Sequence, residues 1–413
     1  MDFDIRPATE AGRKYVELCE AHAADFATRA AEHDRDGTFP FENIEALRES
    51  GVLSAAIPTQ FGGLGIESTQ DLVAGLNRLA RGDGSTAIAA NMHMSVLWVV
   101  NRAWRDAHAR GDGTLIERTE SVLGLLGQIV VCVAGTEAGT SVNHPLTEAT
   151  RADGGWRLNG RKIFATLSPR ADILIVLCRY DLEGEVRTAF AFVPRDSDGL
   201  TIHDDWDAMG MRASGSNSLE LRDVFVPEDG FNARTGAWGE FDVPALMVQV
   251  SANLALTAAM VGIAERAREL VIEAVTTRRK APSNRLLAER TGIQYQVAEM
   301  EIDLATARAM VERSAATVDA YLLGRPDSEA EIGALHDLMR DFQCTKWVAN
   351  RKAIEVVDRA LTLSGGAGYF TSNPLSRLYR DVRAGPFMQA YSPNESREYI
   401  GRTALGLDAD LDL

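Results

Sequence analysis

The sequence predicts an α+β protein in three consecutive parts: an N-terminal helical domain (1–127), a central antiparallel β-sandwich or barrel (128–238) and a C-terminal four-helix bundle (239–413). Three observations lead there. Apolar residues recur at helical spacing near the N-terminus, as in Tyr15, Leu18, Cys19, His22, Phe26 and Ala30. From Gln128 onward the chain changes to short runs rich in Val, Ile, Leu and Phe, separated by turn signals. Beyond residue 239 long helical patterns return, beginning with ALMVQVSANLALTAAMVGIAERARELVIEAV.

In the first part, FENIEALRESGVLSAA, Ser68–Leu79 and STAIAANMHMSVLWVV supply three more apolar helices, and PTQFGGLG, with its three glycines, marks a turn between them. In the second, QIVVCVAGTEAG, GGWRLNGRKIFATL, ADILIVLCRY, TAFAFVPR and SLELRDVFVP read as strands. Asp153-Gly154-Gly155, Asn159-Gly160, Glu183-Gly184 and Asp198-Gly199 read as the turns between them. In the third, helices are expected around 289–323, 329–362 and 387–404.

Composition removes several function classes. Apolar residues are 46% and charged residues 25%, as in ordinary globular chains. A net charge of -16 argues against nucleic acid as a partner, although a local arginine pair can still hold one anionic ligand. The four cysteines, Cys19, Cys132, Cys178 and Cys344, are scattered without CxxC spacing, and the histidines form no HExxH, so no metal site or disulfide framework is expected. The longest uncharged run, Val243–Ala264, is interrupted by polar residues and reads as a buried helix, so no membrane is expected. The N-terminal MDFDIRPATE lacks a secretory pattern, and the plain expectation is a cytoplasmic protein.

Four segments carry a resemblance. PTQFGGLG is similar to an early Pro-x-x-x-Gly-Gly loop. GTEAGTSVNHPLTEATRADGGWRLNGRKIFATL contains a Thr-Glu loop, a Leu-Asn-Gly-x-Lys hairpin and an aromatic-x-Thr. MGMRASGSNSLELRDVFVP and SGGAGYFTSNPLSRLYRDVRAG hold a Gly-x-Arg-x-Ser strand, a Gly-Gly-x-Gly-Tyr turn and a Tyr-Arg-Asp motif. In this order they resemble the acyl-CoA dehydrogenase superfamily across almost the whole chain.

That resemblance implies a flavin site. It assigns Thr136, Phe164 and Thr166 to the flavin ring, and Arg279, Gly365 and Gly366 to a diphosphate, often of a neighbouring subunit. Alternation on a presumed strand puts Phe164 and Thr166 on one face. Taken singly, Phe164 also fits a plain core position, Arg279 a solvated helix residue, and Gly365–Gly368 a helix cap. FAD is the implied cofactor, with FMN as the alternative, because Thr362 replaces the Gln that usually accompanies the glycine pair. A homotetramer or homodimer is implied too.

A dehydrogenase of this family needs a carboxylate to take the α-proton. At the usual place stands Gln389, whose amide is neutral. At the other known place stands Ala252, and no acid lies between Val243 and Ala264. Glu395 is the one acid close enough to substitute. The Thr-Glu loop is also shortened, and DDWDAMGMRASGS resembles the superfamily's two-component monooxygenases, which use reduced flavin from a separate reductase to activate oxygen. The preferred reading is such a monooxygenase acting on a small molecule; the resemblance implies aromatic, heteroaromatic, sulfur or amino-sugar substrates, with an indole-like or other aromatic one as the guess. His93, Ser168, Ser216, Gln389 and Tyr391 are its candidate polar groups. For His93 a buried histidine bonded to backbone is the competing reading, and for the serines plain turn hydroxyls. An acyl-CoA dehydrogenase with Glu395 as base, and a non-catalytic flavin-binding relative, are the alternatives.

Overall fold

A computed structural model describes residues 3–409; Met1, Asp2 and 410–413, at the outer ends of the first and third expected parts, lie outside the described residues. The helical N-terminal region comprises α1 (Glu10–Phe26), α2 (Ala30–Asp36), α3 (Phe41–Glu49), α4 (Thr69–Gly82), α5 (Gly84–Arg110) and α6 (Gly113–Leu126). PTQFGGLG is the turn before α4, with Gly62 and Gly65 at φ 88° and 74°. Asp83 separates α4 from α5 and caps the latter, accepting from the Ser85 and Thr86 amides.

The central sheet holds β1 (Val131–Ala134), β2 (Glu148–Ala152), β3 (Gly155–Ala165), β4 (Ile173–Leu182), β5 (Glu185–Pro194), β6 (Leu200–Ile202), β7 (Asn217–Pro227) and β8 (Phe231–Ala237). The order is β6-β7-β3-β2-β4-β5-β8, with β1 beside β4. It is not wholly antiparallel. β1 pairs with β4 in parallel, and β2 meets β4 in parallel over Glu148↔Arg179 and Ala149↔Tyr180. The β2–β4 pairing joins the two hairpins into one sheet and β1 adds a strand beside β4; short-range turn signals encode neither.

Asn159-Gly160 is not a turn. Both residues lie inside β3, at a register shift between Leu158 and Gly160. A Cβ on Gly160 would lie 2.4 Å from Thr147 Oγ1, so glycine serves the close approach of the neighbouring chain.

The C-terminal region holds α7 (Val243–Val250), α8 (Ala252–Thr277), a short hairpin of β9 (Arg279–Lys280) and β10 (Arg285–Leu286), α9 (Thr291–Leu322), α10 (Ile332–Ser364), α11 (Pro374–Asp381) and α12 (Pro393–Ala404). The helix expected from 387 begins only at Pro393, which leaves Gln389 in a loop. Val243–Thr277, apolar and long enough to cross a membrane, is 94% buried inside the protein over its most apolar window. Helices from both ends of the chain share one apolar core, and the sheet has its own.

α4 and α8 touch backbone to backbone. A Cβ on Gly262 would lie 2.1 Å from the Asn77 carbonyl oxygen. Gly262→Ala is therefore expected to cost about 1–3 kcal/mol by overpacking. This should appear as a lower urea midpoint with an unchanged slope. An unchanged midpoint would mean that the helices can part without penalty.

Candidate functional site

The site begins where β1 runs into the Thr136–Glu137 loop. The Ile163 amide of β3 donates to the Thr136 carbonyl at 3.0 Å, so this loop is tied to the strand that leads to Phe164. Below it, Lys162 is fully buried and its ammonium pairs with the buried Glu137. Glu137 also accepts from the Leu146 and Thr147 amides at 2.7 and 2.9 Å. Burial opposes the charge on Glu137, but Lys162 and the Thr147 amide outweigh it and hold its pKa below the usual range. These bonds fold the shortened 137–147 segment back on itself and leave the Thr136 hydroxyl at the rim.

β3 ends at Ala165, so Phe164 and Thr166 do not alternate on a regular strand as expected. A register shift between Lys162 and Ala165 puts Phe164 at φ 54°, and the Thr166 amide turns back to the Phe164 carbonyl at 2.9 Å. The twist turns the Phe164 ring outward, 55% exposed, where Trp206 meets it edge-on at 5.7 Å. Thr166 Oγ1 lies 2.8 Å from Ser216 Oγ, which lies 2.6 Å from Ser214 Oγ, making a short chain of hydroxyls. Ser168 is a turn hydroxyl donating to the Gly215 carbonyl at 3.2 Å.

The DDWDAMGMRASGS segment is pinned from two sides. Trp206 Nε1 donates to the Met211 carbonyl at 2.9 Å, and the Met211 amide donates to Asp381 Oδ1 at 2.7 Å. Two distant motifs, MGMR and RDVRAG, are thus one contact. Asp381 is buried, which lifts its pKa to about 6 even with Arg377 beside it.

Gln389 comes to this place from the loop before α12. Its Nε2 donates to Thr136 Oγ1 at 2.8 Å, while its buried Oε1 has no partner among the described residues. Neither alternative position supplies a carboxylate. Ala252 starts α8, fully buried, and its carbonyl accepts from Asn91 Nδ2 at 3.0 Å. Glu395 is the third residue of α12 and closes a capping box, accepting from the Ser392 amide at 2.7 Å. It is a helix cap, which corrects its expected candidacy as a base.

His93 sits on α5, buried, and its Nδ1 accepts from the Val131 amide at 3.1 Å. Burial lowers its pKa to about 4, so it is a neutral histidine that ties α5 to β1. The backbone-bonded reading describes it, and its Nδ1 is not available for proton transfer. Tyr391 is buried between aromatic rings, 5.1 Å from Tyr399 and 6.2 Å from Phe241.

Arg279 and the glycine pair are not hydrogen-bonded to this group. Arg279 lies exposed in the hairpin after α8, donating to the Asn284 carbonyl at 2.8 Å. Gly365 and Gly366 follow α10, past Thr362, with open space where a Cβ would stand.

One participant escaped the sequence reading. Lys346 on α10 is buried and donates to the carbonyls of Met388 and, at 2.6 Å, Tyr391, on either side of Gln389. Its signal was a lysine on the apolar stripe of α10, in phase with Phe342, Ala349 and Ala353.

The residues fit a flavin ring. Phe164 offers an aromatic face, and Thr136, Thr166 and Ser216 offer hydroxyls at its edge. The orphaned Gln389 Oε1 calls for an N–H donor that a ligand can bring.

The chain matches the acyl-CoA dehydrogenase N-terminal domain over residues 9–107, the middle domain over 132–224 and the C-terminal domain over 254–393. It is 36% identical over 403 residues to the amino sugar nitrososynthase DnmZ of Streptomyces peucetius, covering 97% of this chain and 95% of the relative. It is 35% identical over 418 residues to the L-evernosamine nitrososynthase of a Micromonospora species, covering 99% and 94%. The structure of KijD3 in complex with FMN and dTDP-3-amino-2,3,6-trideoxy-4-keto-3-methyl-D-glucose is similar with a TM-score of 0.87 at 33% identity, over 98% of this chain and 96% of that one.

Proposed function

This chain belongs to the acyl-CoA dehydrogenase family and is a flavin-dependent oxidoreductase, and we propose that it is a monooxygenase oxidising the amine nitrogen of a nucleotide-linked amino sugar. One observation carries the reading away from dehydrogenation: the amide of Gln389, bonded to Thr136, stands where a proton-accepting carboxylate would be needed. The substrate class is supported by the nitrososynthases to which the chain is similar over nearly its full length. That support moves the preference from an indole-like substrate to an amine.

Reduced flavin, when bound, supplies two electrons to O2, so that one oxygen atom goes to nitrogen and the other leaves as water. The chain's own groups bind, orient and exclude solvent. Phe164 and Trp206 wall the site, and the Thr166–Ser216–Ser214 hydroxyls face the polar edge. The unpartnered Gln389 Oε1 would accept from an N–H of the substrate, presenting the nitrogen lone pair away from the amide. Reduced flavin is proposed to come from a separate reductase. Arg279, Gly365 and Gly366 support FAD with its diphosphate at a subunit contact, whereas the KijD3 complex supports FMN. Parallel titration with both separates them.

The test is turnover with flavin, a flavin reductase, NADPH and oxygen, offering a dTDP-amino sugar beside indole and an acyl-CoA panel. Gain of one oxygen atom by the amino sugar, seen by mass spectrometry, is expected. Oxygenation of indole alone would return the substrate class to heteroaromatics. Anaerobic bleaching of the flavin by an acyl-CoA would overturn the oxygenase reading, and no turnover at all would leave a flavin-binding relative.

A further inference from the structure

We propose that Lys346 is a positioning residue that clamps the 388–391 loop and so sets the Gln389 carboxamide against the flavin site. The clamp comes from outside the motifs: Lys346 reaches from α10 to the carbonyls of Met388 and Tyr391, bracketing Gln389. A cavity of about 150 Å³ opens beside Lys346, lined by Trp347, Asn350, Pro386 and Pro393 among others. Neither polar atom of the buried Asn350 carboxamide has a partner among the described residues. Tyr391 anchors one end of the loop in the apolar core and Met388 and Ala390 pack partly against it, so beside the cavity Lys346 adds polar ties to a loop held by apolar contacts. Two donations from one buried ammonium hold its carbonyls on either side of Gln389, and such bonds are stronger than neutral ones.

Burial lowers the Lys346 pKa to about 7, with Glu395 on α12 pulling it back up. Glu395 is the charged group that acts on it directly, while on the α9 side Arg313 pairs with Asp341 and reaches Thr345 Oγ1. Arg351 lines the cavity, Arg397 of α12 lies over the Trp347 ring at 3.9 Å, and Arg383 donates to Tyr379 Oη at 2.9 Å. α7, which packs on α10, carries no charged residue. Deprotonation leaves two N–H groups but removes the charge from both bonds. The clamp should weaken as pH rises through neutrality.

The functional half of this proposal rests on the flavin reading; the mechanical half does not, and the experiment separates them. Deuterium uptake is measured on flavin-free wild type, Lys346→Met and Lys346→Arg, with thermal melting as a check on folding. Lys346→Met should raise uptake at 386–392 and leave 137–148 as in the wild type, and Lys346→Arg should restore protection, the cavity giving the longer side chain room. Unchanged uptake at 386–392, or a rise spread over the whole chain, would overturn the clamp. Oxidised FMN and FAD are then titrated from pH 6 to 8.5. Wild-type affinity should fall as pH rises past neutrality, Lys346→Met should bind about tenfold more weakly at pH 6, and Lys346→Arg should show no pH limb, since guanidinium stays charged. Flavin affinity independent of residue 346 would overturn the link from loop to site. Absence of flavin binding by the wild type would instead refute the flavin reading, with deuterium uptake still deciding the clamp.

Discussion

Gln389→Glu should cut oxygenated product by about 100-fold at neutral pH, the usual order for losing one fixed polar group at a reacting centre. The substitution is nearly isosteric, so its effect isolates chemistry from shape. The amide donates to Thr136 Oγ1 and keeps a neutral acceptor at the orphaned Oε1. An ionised carboxylate cannot donate to Thr136, although it can accept from that hydroxyl, and it puts negative charge on the buried, unpartnered oxygen, which raises its pKa. The protonated acid can donate again. The loss should therefore shrink as pH falls toward the carboxyl's raised pKa, the same direction as the Lys346 limb, so the wild type followed at each pH serves as the reference that isolates the carboxyl. Product per oxygen consumed, followed against pH, reads this out. Full activity across the range would remove Gln389 from the site. Gained oxidation of an acyl-CoA would show that a dehydrogenase pocket survives beneath the amide.

The helical, β, helical order was legible because each element buries a face, and burial writes a period into the sequence. Features that depend on contacts distant in sequence were not. The β2–β4 pairing involves only two residue pairs, too few to leave a pattern. Asn159-Gly160 has the composition of a turn, but its glycine answers to Thr147, on another strand's approach. Phe164 and Thr166 were assigned by resemblance, while the backbone turn that separates them belongs to a register shift invisible in composition. Glu395 was suspect for being an acid near the right place. The nearer reading was Ser392-Pro393-Asn394-Glu395 as a capping box. Lys346 illustrates the reverse case: its signal, a charge on an apolar helical stripe, was present, but its meaning depends on two carbonyls more than forty positions away.

Lys162→Met should destabilise the protein by about 3–5 kcal/mol, the usual cost of removing one partner from a buried ion pair. Lys162 has no exposure, and Glu137 is left facing it with only the Leu146 and Thr147 amides. Methionine replaces the aliphatic stem, so packing is largely kept and the missing charge accounts for the loss. The pH dependence identifies the cause. In the wild type Glu137 has a lowered pKa, so its contribution is present above the ordinary glutamate pKa and lost as pH falls through the lowered value. In the variant burial is opposed by the remaining Leu146 and Thr147 amides without the Lys162 charge, so that pKa rises, and folding is penalised at neutral pH and relieved on acidification. The gap between the two urea midpoints should narrow from pH 8 toward pH 5; a gap constant with pH would assign the loss to packing. Flavin binding should fail at smaller destabilisation than the fold, because the segment released first carries Thr136, the acceptor of Gln389. A variant that melted early yet bound flavin normally would separate the ion pair from the site.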